Sequence, residues 1–544
     1  MMGRMILLVA LTLLVPSVTS GPVVRTKYGA VEGVASNLSQ NFLGIPFAAP
    51  PVGSLRWQPP AEPKPWGSSV YDGTKFKPGC PQVFCDLMNP AMVCPNKTSE
   101  DCLYLNIYTP LDAEPSSNLP VMVFIHGGNF VHMSAGSLLF RGDIFVNKSN
   151  VILVTIDYRM GALGFLVTGR QSYDAKGNYG IMDQRMALKW VQENIEAFGG
   201  NPNEVTLFGQ SAGAQSTIVH LMSEKSSPYF QKAIVESAPF TIPFKEFAEA
   251  IVLSDYFAEI LNCGEGNIAC LRTKTAEEIA QAQFKSRSKI ASLKFLEEFE
   301  PWGPWVDGDE IKMEPVEAYE KGKFFDKPLI IGTTSEETRI YIYEAWKKRV
   351  TTPQYALVVA TVSPSHVVEI LYEYPPDDPT DERDNLALLA TDFVFVCSTR
   401  HVTRAALKKN TTDVWLYLYD HAFSFPGWEP HFNFCQGHVC HGSDMPLVFQ
   451  TASYAGFQFT QDELILSDDL ITYFTNFAKS GNPNTPGVGK HSSPTKRQEQ
   501  ILNWPNYNSD NGWPLMRLMT PSNKLDPDFN APYCDFWDRV GYKA

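Results

Sequence analysis

Charge is scarce in this 544-residue chain: Asp, Glu, Lys and Arg together make up 19% of it. The shortage is mostly of positive charge, with 45 basic residues against 59 acidic ones. A formal charge of -14 argues against nucleic acid as a partner, because a phosphate-binding surface needs a net basic patch. Disorder is excluded from the other side, since 44% of the residues are hydrophobic. Glycine and proline follow no repeating period, which removes collagen and solenoid architectures. Beyond the first few residues no run of eighteen apolar residues occurs, so no membrane span is read there. No two cysteines stand in C-x-x-C spacing.

What is present begins with an address. Arg4 is followed by the apolar run Met5 to Val15, then by small residues at Val18 and Ser20. That pattern reads as a secretory signal peptide over residues 1–20, cut after Ser20. The run is too short to cross a ~30 Å bilayer as an anchor. The C-terminal Asp538 to Ala544 is polar, so no lipid-anchor tail or membrane anchor is read there. The expectation is a secreted protein, extracellular or in an endomembrane lumen, with residues 21–544 as one domain. Four sequons fit that route, at Asn37, Asn96, Asn147 and Asn410.

Ten cysteines in an oxidising compartment should pair. Sequence alone leaves the pairing open. Nesting favours Cys80–Cys102 around Cys85–Cys94, with short loops Cys263–Cys270 and Cys435–Cys440. That leaves Cys397 with Cys534. The dense stretch His431 to His441, with Cys435, His438 and Cys440, has a rival reading as a zinc site. In an oxidising compartment its thiols are expected to form a disulfide, so neither a metal nor a cofactor is expected.

The N-terminal half alternates two patterns. Val121 to Ile125 and Val151 to Ile156 are continuous apolar runs, and Val205 to Phe208 and Ala233 to Val235 are shorter ones; all read as buried parallel strands. Ala187, Leu188, Val191, Ile195 and Phe198 fall at helical spacing, ended by Gly199-Gly200 and Pro202. The alternation implies an α/β fold with a mostly parallel sheet and helices on both faces. Phe240 to Glu300 reads as helical insertions. Lys327 to Ile331 and Val414 to Tyr419 read as strands returning to the sheet, and Asn482 to Lys496 as an exposed loop.

Gly209-Gln-Ser211-Ala-Gly213 fits the G-x-S-x-G nucleophile elbow, between the strand ending at Phe208 and a helix from Ala212 to Met222. Such a turn lifts a serine clear of the sheet, and the helix N-terminus supplies backbone donors where an oxyanion develops. The bland alternative is a buried structural serine. His126-Gly-Gly-Asn-Phe130 follows a strand and is too short for a dinucleotide fingerprint. It matches a turn that gives backbone N–H groups to a tetrahedral intermediate. A serine nucleophile also needs a base, and the base an acid. Histidines 366, 401, 421, 431, 438, 441 and 491 all lie downstream of the elbow helix, and residue chemistry does not choose among them.

Three longer segments narrow the choice. Glu100-Asp-Cys102-Leu-Tyr-Leu-Asn106, Gly180-Ile-Met-Asp183-Gln184 with Ala187-Leu-Lys-Trp190-Val, and Phe198 through Gly213 resemble the type-B carboxylesterase family, which includes the cholinesterases. The resemblance runs from about Val23 to Cys534. It implies the α/β-hydrolase fold and a Ser-Glu-His triad of Ser211, Glu337 and His441. Glu336 and His438 are the neighbouring alternatives. It further implies an oxyanion hole from Gly128, Asn129 and Ala212, a supporting serine at Ser237, and a structural ion pair between Glu100 and Arg159. Cys80–Cys102, Cys263–Cys270 and Cys397–Cys534 match family positions; the other two pairs look extra. Gln210, Asn129 and Thr338 depart from the residues common in the family, yet none removes a reacting group.

The expected activity is hydrolysis of a small-molecule carboxylic ester through an acyl-enzyme. The alternative is a non-catalytic adhesion or storage member of the same fold, which would usually lack the Ser or His. The Cys80–Cys102 loop holds no Trp, its apolar members being residues such as Phe84, Leu87, Met88 and Met92. In cholinesterases the principal cation-binding Trp sits in that loop, so uncharged esters are the expected substrates.

Overall fold

The computed structural model describes residues 21–83, 85, 89–286, 295–409, 412–486 and 501–542. The leader, Asn410, the loop residues Phe84, Leu87 and Met88, and residues 487–496 of the expected surface loop lie outside these.

Fourteen strands occur among the described residues. In chain order they are β1 Val23–Thr26, β2 Gly29–Glu32, β3 Val34–Ala35, β4 Ser39–Pro46, β5 Gly67–Asp72, β6 Tyr104–Pro110, β7 Leu119–Ile125, β8 Ile152–Ile156, β9 Gly200–Gln210, β10 Lys232–Glu236, β11 Leu329–Thr334, β12 Val414–Tyr419, β13 Pro514–Leu518 and β14 Lys524–Pro527. Eleven form one sheet, in the order β14-β13-β12-β11-β10-β9-β7-β8-β6-β4-β3. The seven strands from β13 to β8 run parallel, and antiparallel strands close both edges. β1, β2 and β5 make a small separate sheet.

Strand geometry explains why the central runs are apolar throughout. Alternate side chains point to opposite faces, so a strand covered on both faces cannot alternate with polar residues. Val121, Val123 and Ile125 of β7 join one core, while Met122 and Phe124 join the other. β12 divides the same way, with Val414, Leu416 and Leu418 on one face and Trp415, Tyr417 and Tyr419 on the other. Helix Tyr179–Asn194 covers the first face through Ala187, Leu188 and Val191; helix Gln461–Ser480 covers the second through Leu466, Leu470 and Phe474. The first of these tightens into a 3-10 turn, Ile195–Phe198, and stops at Gly199, whose φ of 89° suits a residue without Cβ. The middle region carries helices Phe247–Ile260, Ile268–Arg272 and Ala276–Ser286.

One stretch, Arg383–Leu407, has the length and hydropathy of a membrane span, but 78% of its most apolar window is buried. It is packed as a core helix, and it carries Cys397 into a bridge with Cys534 of helix Ala531–Val540. The other bridges are Cys80–Cys102, Cys85–Cys94, Cys263–Cys270 and Cys435–Cys440.

The ion pair implied between Glu100 and Arg159 does not form. Arg56 takes Glu100 instead, through Nε at 2.6 Å and a second contact from Nη2. Arg159 is held by Asp183, through Nε at 2.8 Å and Nη2 at 2.7 Å, and its backbone N–H donates to the same carboxylate. Both guanidiniums are buried, and a bidentate carboxylate is what a buried Arg requires. Two separate pairs meet that need; a single shared pair would leave Arg56 and Asp183 uncompensated.

Candidate active site

Parallel strands deliver their C-terminal ends to one edge, and loops there converge. β9 ends at Gln210 and helix Ala212–Met222 starts one residue later, so Ser211 alone makes the turn. Its φ of 60° and ψ of -126° lie where few non-glycine residues settle. Neighbours enforce the strain: Ser211 N–H donates to Glu236 O at 2.9 Å, and Gln215 N–H donates to Ser211 O at 2.9 Å. The flanking glycines are required by close approach. A Cβ on Gly213 would lie 2.0 Å from Ile125 O, and one on Gly209 would lie 2.4 Å from Gly213 O.

The glycine turn after β7 packs directly on this elbow. A Cβ on Gly127 would meet Gln210 O at 2.7 Å and Ser211 Cβ at 2.9 Å. Gly128 has φ 98°, and Asn129 has φ 52°. Asparagine enters the left-handed region more readily than most residues, so Asn129 keeps the turn that glycine would otherwise make. Ala212 is the first residue of its helix, where backbone N–H groups have no intrahelical acceptor. Gly128, Asn129, Ser211 and His441 all line one cavity of about 690 Å³.

Glu337 and His441 come from the loops after β11 and β12. Glu337 is fully buried. One of its oxygens accepts from Thr334 N–H at 2.7 Å, and the other lies 2.6 Å from His441 Nδ1. The disulfide Cys435–Cys440 ends one residue before His441, and its two sulfurs are the thiols of the zinc reading. Glu336 also holds a histidine, His438, at 2.7 Å. The structure thus brings Ser211 and His441 to the cavity lining, holds Glu337 behind His441, and leaves Glu336 and His438 away from that lining.

Three neighbours of His441 were not read from the sequence. His441 Nε2 lies 3.0 Å from the side-chain nitrogen of Gln210. An amide N–H directed at Nε2 goes with a neutral ring carrying its proton on Nδ1, toward Glu337. Tyr341 lines the same cavity as Ser211. The Tyr341 ring stands 5.4 Å from the His441 ring, and Phe395 stands 5.3 Å from it on another side. Tyr341 stands in the first turn of helix Arg339–Ala345, which starts two residues after Glu337.

Further carboxyls are buried nearby. Burial pushes Glu300 up to about 7, against a hydrogen bond from Gln215 Nε2 at 2.9 Å. Burial and the neighbouring Glu337 push Asp444 up to about 7 as well. Glu236 is raised by burial and by Asp444, since two enclosed carboxyls do not both ionise cheaply. Ser237 is fully buried with φ 58°, and its N–H donates to Gly332 O at 2.8 Å. Its hydroxyl has no hydrogen-bond partner among the described residues.

Aromatic residues dominate the cavity wall. Trp302, Trp346 and Trp428 reach it from three separate segments, with Phe140, Phe299 and Tyr341. A search for tryptophan confined to the Cys80–Cys102 loop misses all three, because they converge only in space.

The carboxylesterase family model matches residues 20–537. The chain is 37% identical over 526 residues to the cAMP-regulated D2 protein of Dictyostelium discoideum, covering 96% of this chain and 94% of that one. It is 32% identical over 551 residues to an acetylcholinesterase of Bungarus fasciatus, covering 95% and 86% respectively. A solved structure of PNB esterase superposes with a TM-score of 0.78 at 29% identity, over 94% of this chain and 99% of that one.

Proposed function

This chain belongs to the carboxylesterase family and has the α/β-hydrolase fold, and on that premise we propose that it is a catalytically competent serine esterase. The observation that carries the reading is the 2.6 Å contact of buried Glu337 with His441, a histidine that lines the same cavity as Ser211. A non-catalytic member would have no use for a strained serine elbow facing an oriented imidazole.

In this reading Ser211 Oγ attacks the ester carbonyl while His441 Nε2 takes its proton. To do so the hydroxyl turns to Nε2, and the Gln210 amide, 3.0 Å from that nitrogen, gives way. Glu337 keeps the Nδ1 proton in place and stabilises the imidazolium. The N–H groups of Gly128, Asn129 and Ala212 receive the oxyanion. The imidazolium then protonates the departing alcohol, and a water molecule repeats the sequence on the acyl-enzyme. Ser211→Ala should fold normally and lose at least ~10⁴-fold in turnover. An organophosphate should label the parent alone; equal labelling of the two proteins would move the nucleophile elsewhere.

We assign uncharged esters as substrates. A quaternary ammonium binds on an aromatic face, best that of Trp, and Trp346 and Trp428 make this the assignment most open to attack. The test compares acetylcholine with its uncharged isostere, 3,3-dimethylbutyl acetate. The expected kcat/KM ratio stays below ~30-fold, or about 2 kcal/mol, and a larger preference for the cation would overturn the assignment.

Secretion as one domain over residues 21–544 is supported by the five disulfides and by exposed sequon asparagines Asn37, Asn96 and Asn147.

A further inference from the structure

His126 opens the glycine turn and has no part in the Ser-Glu-His scheme. It is fully buried and lies outside the cavity lining. Its Nδ1 stands 2.9 Å from Gly127 O. A carbonyl oxygen can only accept, so Nδ1 carries a proton and donates it to that contact. Burial pushes the imidazole down to about 4, so the ring is neutral at working pH and this is its single proton. Nε2 has no hydrogen-bond partner among the described residues; Asp157 Oδ1 is 3.7 Å away, beyond hydrogen-bond reach. Tyr158 holds the residue in place. The two rings stack with centroids 4.7 Å apart, and the Tyr158 hydroxyl donates to His126 O at 3.0 Å.

The bond matters because of where its acceptor sits. Gly127 O and Gly128 N–H belong to one planar trans peptide, in which they point in opposite directions. Holding the oxygen on the buried side turns the N–H toward the cavity that Gly128 lines. The next peptide is fixed by backbone groups instead. Gly128 O accepts from the N–H groups of Val131 and His132, both at 2.9 Å, and Asn129 N–H is opposed to it. A Gly-Gly peptide flips more readily than others, since neither residue has a Cβ and Gly128 already sits at φ 98°. A flip would present a carbonyl oxygen to the cavity in place of the donor.

We propose that His126 is a positioning residue for the oxyanion hole: its Nδ1–H holds the Gly127–Gly128 peptide so that Gly128 N–H faces the developing oxyanion. The proposal rests on the serine-esterase reading above. His126 neither gives nor takes a proton in the reaction, and it acts on the substrate only through that peptide. Its effect is confined to states with negative charge on the carbonyl oxygen, the tetrahedral intermediates and the transition states beside them. Binding of the uncharged ester is left alone, so a loss of this bond falls on kcat and spares KM.

The test compares two amide variants that differ in where their N–H falls. In His126→Asn the amide nitrogen takes the place of Nδ1 and can still donate to Gly127 O; in His126→Gln it takes the place of Nε2 and cannot. On a p-nitrophenyl ester, His126→Asn should keep kcat within ~5-fold of the parent, and His126→Gln should lose ~10- to 100-fold, somewhat less than outright removal of an oxyanion donor. KM should change by less than ~3-fold in both. A trifluoromethyl ketone adds to Ser211 as an anionic hemiketal, and its affinity for His126→Gln should fall in step with kcat/KM. The corresponding secondary alcohol cannot add and should bind all three proteins alike, whereas a merely structural role would weaken both ligands together. Equal kcat in the Asn and Gln variants would overturn the role, as would a kcat loss without the matching loss of ketone affinity. So would a crystal structure of the parent's hemiketal with Gly127 O turned away from His126, a readout that needs no variant to fold. No ester turned over by the parent and no adduct on its Ser211 would overturn the esterase reading itself, and this role with it.

Discussion

Two adjacent glutamates each hold a histidine, and the two pairs differ in almost nothing but place. Glu336 meets His438 Nδ1 at 2.7 Å, and Glu337 meets His441 Nδ1 at 2.6 Å. The side chains of the first pair are 36% and 38% exposed; those of the second are 0% and 9% exposed. Water screens the outer pair, so its attraction contributes little. The inner pair works in a low-dielectric wall where a fixed carboxylate acts strongly on an imidazolium. Equal contacts thus carry unequal consequences, and burial is what separates the glutamate and histidine of the proposed triad from a surface ion pair. The outer pair retains a structural use, since Glu336 also accepts from Val439 N–H at 2.7 Å and its own N–H donates to Val439 O at 3.2 Å. Those bonds brace the loop that carries His441.

The sharpest way to break this comparison is to neutralise each glutamate in turn. Glu337→Gln should lower kcat by ~10³- to 10⁴-fold, because the ring loses both its tautomer and the charge that stabilises its protonated form. Glu336→Gln should stay within ~3-fold of the parent, since the amide oxygen still accepts from Val439. Steady-state kinetics on one ester decides it, and a reversed order would exchange the two assignments. A smaller effect is expected from the Cys435–Cys440 bridge. Replacing both cysteines by Ala frees a loop whose closure contributes about 2 kcal/mol in the chain-entropy account, so Tm should fall. kcat should fall by ~3- to 10-fold with KM little changed, as the base loses alignment. Parent-like kcat in that double variant would mean that the Glu336 bonds alone hold the loop.

The same comparison marks how far the residues alone could be read. Glu336 and Glu337 are neighbours of one chemistry, as His438 and His441 nearly are, so only the family resemblance preferred the inner members. The strand that ends at Gln210, the elbow at Ser211 and the glycines around it were legible because their signals are local. Gly209 and Gly213 have no room for a Cβ, and that constraint leaves a pattern in consecutive residues. The pairing of Glu100 with Arg56 and of Arg159 with Asp183 left no such pattern, because each joins segments separated in the chain. Trp302, Trp346 and Trp428 escaped for the same reason.

From the amino-acid order came the α/β alternation, the positions of the buried strands, the serine turn and the glycine turn. Each is set by a periodicity of 2 or 3.6 residues, or by a steric demand between neighbours, and such interactions are short-ranged along the chain. The folded arrangement decided which glutamate lies under which histidine, that Gln210 faces Nε2, and that Tyr341 packs beside His441. Those outcomes depend on where separate loops meet at the carboxyl edge of a twisted sheet. Burial and electrostatic strength arise from that meeting, because both are properties of surroundings drawn from the whole chain.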